Sequence, residues 1–380
     1  MKVLAVDVGT GTQDIVLFDT RLDIENAYKL ILPAPTMIIR RRIQQATRQG
    51  AAMLLEGAIM GGGPSAWAAE DHARAGYPIY ATPSAALSFN DDLDAVAQMG
   101  IQIVSEDEAR RLPENVVRVT LRDFDFEAIE SAFAAFGVEL EPLGAAAVAV
   151  FDHGAAPPDV SDRQFRFDYL DQRIRAHNRL SAFAFRREDI PPIMTRLQAV
   201  ADSAARLDAP LIVMDTAPAA VLGARFDPHV AALTRALIAN VGNFHTLAFR
   251  LGPDGIEGVF EHHTGLLDLP RLETLLEKLA DGSLRHEDVF GDQGHGALIY
   301  SHQALSIDPA AGNLVVTGPR RGLLRASRLR PYLAVPFGDM MTAGCFGLLA
   351  AAADLLPELG DAIRAALESP SGVGRPPWEV

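Results

Sequence analysis

The stretch Val3-Leu4-Ala5-Val6-Asp7-Val8-Gly9-Thr10-Gly11-Thr12-Gln13-Asp14-Ile15-Val16-Leu17-Phe18-Asp19 decides how this chain is read. An apolar run that ends on a carboxylate, a turn with two glycines and two threonines, and a second apolar run make strand, tight turn, strand. Gly9 and Gly11 admit positive φ and close backbone approach. The amides and hydroxyls of Gly9, Thr10, Gly11 and Thr12, continued by Gln13, can therefore address one anion. Asp7, at the end of the first strand, suits a hydrated Mg²⁺, which takes oxygen ligands and keeps several waters. A plain β-hairpin requires only the glycines; the carboxylate and the threonines go beyond that need.

Working outward, 380 residues predict about two domains at the usual ~100–200 residues each,. A hydrophobic fraction of 49% and a charged fraction of 22% belong to a globular chain,. The net charge of −15 speaks against nucleic acid or an anionic membrane as partner,. The local cluster Arg40-Arg41-Arg42 reads as the solvated face of a helix. The N-terminal apolar run is broken at Asp7 and Gly9, so it is a strand and not a signal peptide. The late apolar segment from Gly344 to Ala352 is too short to span a bilayer. With Cys345 as the single cysteine, no disulfide within the chain is expected, and the expected compartment is cytoplasmic,. One thiolate also cannot hold an iron–sulfur cluster within the chain, which excludes radical chemistry on that basis.

The first third alternates strands with helices: hairpin strands 3–8 and 14–19, a third strand over 25–32, a helix over 36–49 and an apolar strand over 51–59. A helix near 65–75, a strand over 77–82, a helix over 91–99 and a strand over 101–104 follow. The pattern predicts a layered α/β domain with a mixed sheet. Further strands over 115–122 and 145–151 flank a helix near 125–136. Residues 162–206 are charged and largely helical, split at Pro191-Pro192. A strand over 211–214 leads into a helix beginning near Pro218. From Ala236 the N-terminal pattern of strand, glycine turn and strand recurs, with Val241-Gly242-Asn243-Phe244-His245-Thr246 in the place of the first turn.

Four further segments carry candidate chemistry. Val148-Ala149-Val150-Phe151-Asp152-His153-Gly154 puts Asp152 at a strand end, where ligands of open α/β sheets collect, and Asp152 is a candidate general base. In Met214-Asp215-Thr216-Ala217-Pro218, Asp215 is a helix N-cap or a catalytic carboxylate. Met60-Gly61-Gly62-Gly63-Pro64-Ser65 is a strand–glycine loop–helix element in which Gly61, Gly62 and Gly63 can face an anion. It is neither a P-loop nor a Rossmann fingerprint. In the second turn, Gly242, Asn243, His245 and Thr246 are candidate phosphate contacts, with Asn240 where the first turn has Asp7. Gly318, in Val315-Val316-Thr317-Gly318-Pro319-Arg320, follows a β-branched run and precedes an expected helix. His262 and His263 face opposite sides of a strand. With no HExxH or CxxC spacing, they are read as cleft lining and not as a metal pair.

These motifs, in this order, resemble the actin, hexokinase and chaperone superfamily of ATPases. Through DVGTGTQD, MGGGP, FDHG, MDTAPAAVLGA and NVGNFHT, nearly the whole chain is similar to a prokaryotic family labelled pyruvate formate-lyase activating protein-like. The resemblance implies an α/β fold of two ribonuclease-H-like (actin-like) lobes, each with a mixed sheet flanked by helices, and a cleft between them. The expected division is 1–210, with a helical insertion around 160–206, and 211–380. It further implies ATP with Mg²⁺ in the cleft, Asp7 at the metal, and Asp7, Asp152 and Asp215 as catalytic carboxylates. Gly318 would belong to the adenosine loop, where Pro319 replaces a second glycine. The implied activity is phosphoryl transfer to a small molecule or ATP hydrolysis. Two alternatives stay open: a nucleotide-responsive activator that binds a protein partner, and a binder of some other anion. The sequence does not reveal the acceptor or the oligomeric state.

Overall fold

The computed structural model describes residues 1–369 and 374–380. In the first sheet β1 (Lys2–Val8), β2 (Thr12–Asp19) and β3 (Tyr28–Pro33) form an antiparallel meander. The chain then leaves for a separate four-stranded sheet of β4 (Met53–Gly57), β5 (Ile79–Ala81), β6 (Gln102–Ile103) and β7 (Val117–Leu121), ordered β6-β5-β4-β7 and parallel throughout. It returns through β8 (Leu143–Val150), β9 (Ala184–Arg186) and β10 (Leu211–Asp215), which complete the order β3-β2-β1-β8-β10-β9. There β8 lies parallel to β1 and β10 parallel to β8. The single mixed sheet expected for the first third is thus two sheets. Residues 53–121, with the helix Pro35–Gln49 packed on them, bury their own apolar cluster around Ile43, Leu55 and Ile79, apart from the main cores.

The second lobe repeats the plan. Strands β11 (Ala236–Val241), β12 (His245–Gly252) and β13 (Gly255–His263) form the meander, with β14 (Gly296–Ile299) on its edge. On the other side β15 (Leu314–Thr317) and β16 (Tyr332–Leu333) add in parallel, for the order β14-β13-β12-β11-β15-β16. Three antiparallel strands followed by two parallel additions beside the first strand make a ribonuclease-H-like sheet. Each lobe has one, in the two-lobe actin-like arrangement. The expected boundary at 210 falls inside the first sheet, because β10 pairs with β8.

The strands buried on both faces are near-continuous Val/Leu/Ile/Ala runs, as such strands require: Val3 to Val6 and Ala145 to Val150 are inaccessible to solvent. Between the lobes the helices Thr216–Ala224 and Ala343–Leu355 cross in close contact. A Cβ on Gly223 would overlap the carbonyl of Ala343, and one on Gly347 the carbonyl of Ala219, so this crossing admits only glycine. The segment expected to be helical after Gly318 is only the 3₁₀ turn Arg321–Leu324, and the small-residue helix begins at Ala343. Cys345 is buried against the first hairpin, its Sγ 3.1 Å from the carbonyl oxygen of Asp14. Among the described residues no helix is long and apolar enough to cross a membrane.

Candidate functional site

Both glycine turns open on one cleft between the lobes. They are built alike: Gly9 N–H donates to the carbonyl of Thr12 at 2.9 Å, and Gly242 N–H donates to the carbonyl of His245 at 2.9 Å. The cleft holds about 810 Å³ of empty space, part of it open to solvent, and is lined by Asp7, Gly9, Thr10, Thr12, Gly242, Asn243, His245 and Gly318. The turns nearly touch, since a Cβ on Gly11 would lie 2.5 Å from Nδ2 of Asn243. Gly11 is therefore used for close approach of the two turns, and Gly9 for the tight turn onto the carbonyl of Thr12. Neither Gly9 nor Gly11 takes positive φ, whereas Gly318 does (φ 95°). Gln13 and Thr246 turn away from the cleft. The Gln13 amide donates to the carbonyl of Pro33 at 3.1 Å, and the Thr246 hydroxyl is buried 2.9 Å from that of Thr264.

Asp7 is not alone. The hairpin register pairs Asp7 with Asp14, and both carboxyls are buried and line the cleft. Burial, opposed by a 2.6 Å hydrogen bond from the Thr216 hydroxyl and reinforced by Asp215, pushes Asp7 up to about 6. Burial and the charge of Asp7 push Asp14 up to about 8. One oxygen of Asp14 is buried with no hydrogen-bond partner. Two buried carboxyls that resist ionisation, one with an unengaged oxygen, form a donor set that fits a hard cation with oxygen preference. The equivalent pair in the second hairpin is Asn240 and Leu247, so the carboxylates belong to one lobe only. Helix Ala343–Leu355 starts against Asp7, and a Cβ on Gly344 would overlap its carboxylate.

A second cavity of about 1200 Å³ adjoins the first across Gly9, Thr10, Phe151, Arg196, Phe244 and His245. Gly61, Gly62 and Gly63 line it, as do Asp152, His153 and His263. Gly63, at φ 51°, precedes the helix Pro64–Arg74, and Trp67 of that helix stacks on Phe244 of the second lobe at 5.7 Å. Asp152 faces this cavity with both oxygens engaged by backbone amides, of Gly154 at 2.9 Å, Arg196 at 3.0 Å and Leu197 at 2.9 Å. Asp215 lines neither cavity. It caps the helix Thr216–Ala224 through the amide of Ala217 at 3.0 Å and pairs with Arg166 at 2.7 Å.

Several residues of the site had no motif to announce them. Arg166, almost inaccessible, joins Asp215 to Glu261 of the second lobe (2.6 Å) and lies over the Phe151 ring at 4.1 Å. Arg196 lines both cavities and is held by Asp123 at 2.5 Å and the carbonyl of Phe151 at 2.5 Å. Asp14 was readable. A hairpin turning at Thr10–Gly11 sets residues whose numbers sum to 21 opposite each other, which pairs Asp14 with Asp7.

The family model described as "Putative pyruvate format-lyase activating enzyme (DUF1786)" matches residues 60–323, more than half of the chain. The chain belongs to this family. No curated protein matches it. Solved structures similar to it include an activator of 2-hydroxyisocaproyl-CoA dehydratase from Clostridium difficile with bound ADPNP, at 11% identity over 98% of this chain and 99% of that one, TM-score 0.34. Another is the ethanolamine utilization protein EutJ from Carboxydothermus hydrogenoformans, at 11% identity over 92% and 89%, TM-score 0.33. A third is a ROK hexokinase from Thermus thermophilus, at 13% identity over 94% and 100%, TM-score 0.30. The fold assignment stands on the strand orders and not on these faint likenesses.

Proposed function

We propose that this chain binds a nucleoside triphosphate with Mg²⁺ in the interlobe cleft and transfers its terminal phosphoryl group to a small molecule held in the adjoining cavity. The observation that carries this reading is the convergence of two matching glycine turns on one cavity that also holds the buried pair Asp7 and Asp14. Gly9 to Thr12 and Gly242 to His245 supply donors from two sides to a phosphate chain. Asp7 and Asp14 would hold the hydrated cation, which would neutralise the charge of the phosphates. Gly318 lines the same cavity and would approach a ribose or base. Phosphoryl transfer depends chiefly on positioning and electrostatics, so a site of donors and few acids is sufficient. Of the two further candidate carboxylates, Asp152 faces the acceptor cavity, and Asp215 fixes Arg166 behind it.

The family description's activating chemistry is not carried over, because within these 380 residues only Cys345 offers a thiol,. Isothermal titration with ATP and Mg²⁺, on the wild type and on a folded Asp7→Asn variant, tests the proposal. Magnesium-dependent binding that falls at least tenfold in the variant supports it. Absence of binding at millimolar nucleotide, or equal affinity in the two proteins, overturns it. Binding with no phosphoryl transfer or hydrolysis would favour a nucleotide-responsive activator instead.

A further inference from the structure

We propose that His153, His245 and His295 form a binding site for a divalent transition-metal ion of the zinc class, oriented by Glu261 and separate from the Asp7–Asp14 cation site. The ligands come from three places far apart in sequence: the loop after β8, the start of β12, and the residue just before β14. Fold closure brings one potential ligand atom from each, together with one from Glu261, within 4.8 Å of one another. Nε2 of His153 and Nε2 of His295 face each other at 3.0 Å. That is close to the ~3.3 Å separating two ligands bonded at 2.0–2.1 Å to one tetrahedral ion. His245 and His295 both turn Nδ1 toward Oε1 of Glu261, at 2.9 Å and 3.4 Å. At His245 the carboxylate accepting from Nδ1 leaves Nε2 with its lone pair free, the usual outer arrangement around a metal-bound imidazole,.

One further observation points to an ion here and not to a packed aromatic cluster. Nδ1 of His295 is buried without a hydrogen bond of good geometry, and the His245 and His295 rings lie 4.7–5.6 Å from those of His153 and His263 and from each other. Stacked imidazoles in an apolar setting are costly unless their nitrogens find partners. Nitrogen donors select a borderline ion such as Zn²⁺, Co²⁺ or Fe²⁺ over Mg²⁺.

His153 and His245 line the acceptor cavity, so an ion there would keep an open position toward it. Three protein ligands and one open position is the pattern of catalytic and not of structural sites. Such an ion would polarise an oxygen of whatever molecule occupies that cavity.

The test uses the intact chain, stripped with chelator and titrated with Co²⁺ and then Zn²⁺, reading the visible ligand-field band of cobalt and metal content by mass spectrometry. One equivalent of Co²⁺ giving a four- or five-coordinate spectrum, displaced by one equivalent of Zn²⁺, is expected. His153→Ala and His295→Ala should each weaken binding by at least a hundredfold, while Asp7→Asn keeps the equivalent. No stoichiometric uptake by the wild type overturns the proposal, whether or not the variants fold. Loss of the ion in Asp7→Asn, or its retention in both folded histidine variants, overturns it as well.

Discussion

Replacing Asp14 by Asn tests the electrostatics of the cleft without any ligand. The carboxyl is buried, carries one oxygen without a hydrogen bond, and sits opposite Asp7. Burial and Asp7 raise it from 3.8 in the unfolded chain to about 8. A raised folded value means that the native protein keeps a proton that the unfolded chain has released. Its contribution to stability is therefore whole below about pH 4 and is lost progressively as pH climbs to about 8. Each pH unit inside that window corresponds to about 1.4 kcal/mol, so wild type should lose about 3 kcal/mol between about pH 5 and pH 7 from this group. Asn is nearly isosteric and cannot ionise. The stability difference, Asp14→Asn minus wild type, should therefore rise by that amount in the variant's favour. Urea unfolding in EDTA at several pH values measures it, and taking the difference removes the titration of the other acids. A difference that stays flat between about pH 5 and pH 8 would refute the reasoning.

The same pair predicts that affinity for Mg²⁺-nucleotide rises from about pH 6 to pH 8, because the cation needs both carboxyls ionised,. Titration calorimetry in buffers of different ionisation heat should detect released protons, and pH-independent binding with no release would contradict this. Arg166→Met should destabilise the fold by about 3–5 kcal/mol by leaving Asp215 and Glu261 buried and unpaired,. Urea unfolding measures that loss, and a cost under about 1 kcal/mol would show the clamp between the lobes to be dispensable. Gly347→Ala should cost about 3 kcal/mol or more, since the new methyl overlaps the backbone of the facing helix,. Thermal unfolding reads it, and an unchanged midpoint would deny the close crossing.

The first hairpin, its repetition after Ala236 and most element boundaries were legible because each rests on local patterning: apolar runs, glycine turns and helix starts. The pairing of Asp7 with Asp14 is fixed by turn position, yet only Asp7 was singled out in the sequence. The separation of residues 53–121 into their own sheet was not legible, because a parallel strand order depends on which crossovers pack where, and β4 reads the same in either sheet. The positive φ expected for Gly9 and Gly11 did not occur: Gly9 is crowded by the carbonyl of Thr12 in its own hairpin, and Gly11 by Asn243 from the other lobe. Arg166, Glu261, His153 and His295 lie in four separate segments. Their meeting depends on lobe closure, which no spacing in the chain records.

The most direct measurement of the central claim is the crystal structure of the protein soaked with a non-hydrolysable ATP analogue and Mg²⁺. The account predicts triphosphate density between Gly9–Thr12 and Gly242–His245, with the cation beside Asp7 and Asp14 and the ribose toward Gly318. Density for the nucleotide at any other surface, or none in the cleft at millimolar analogue, would contradict it.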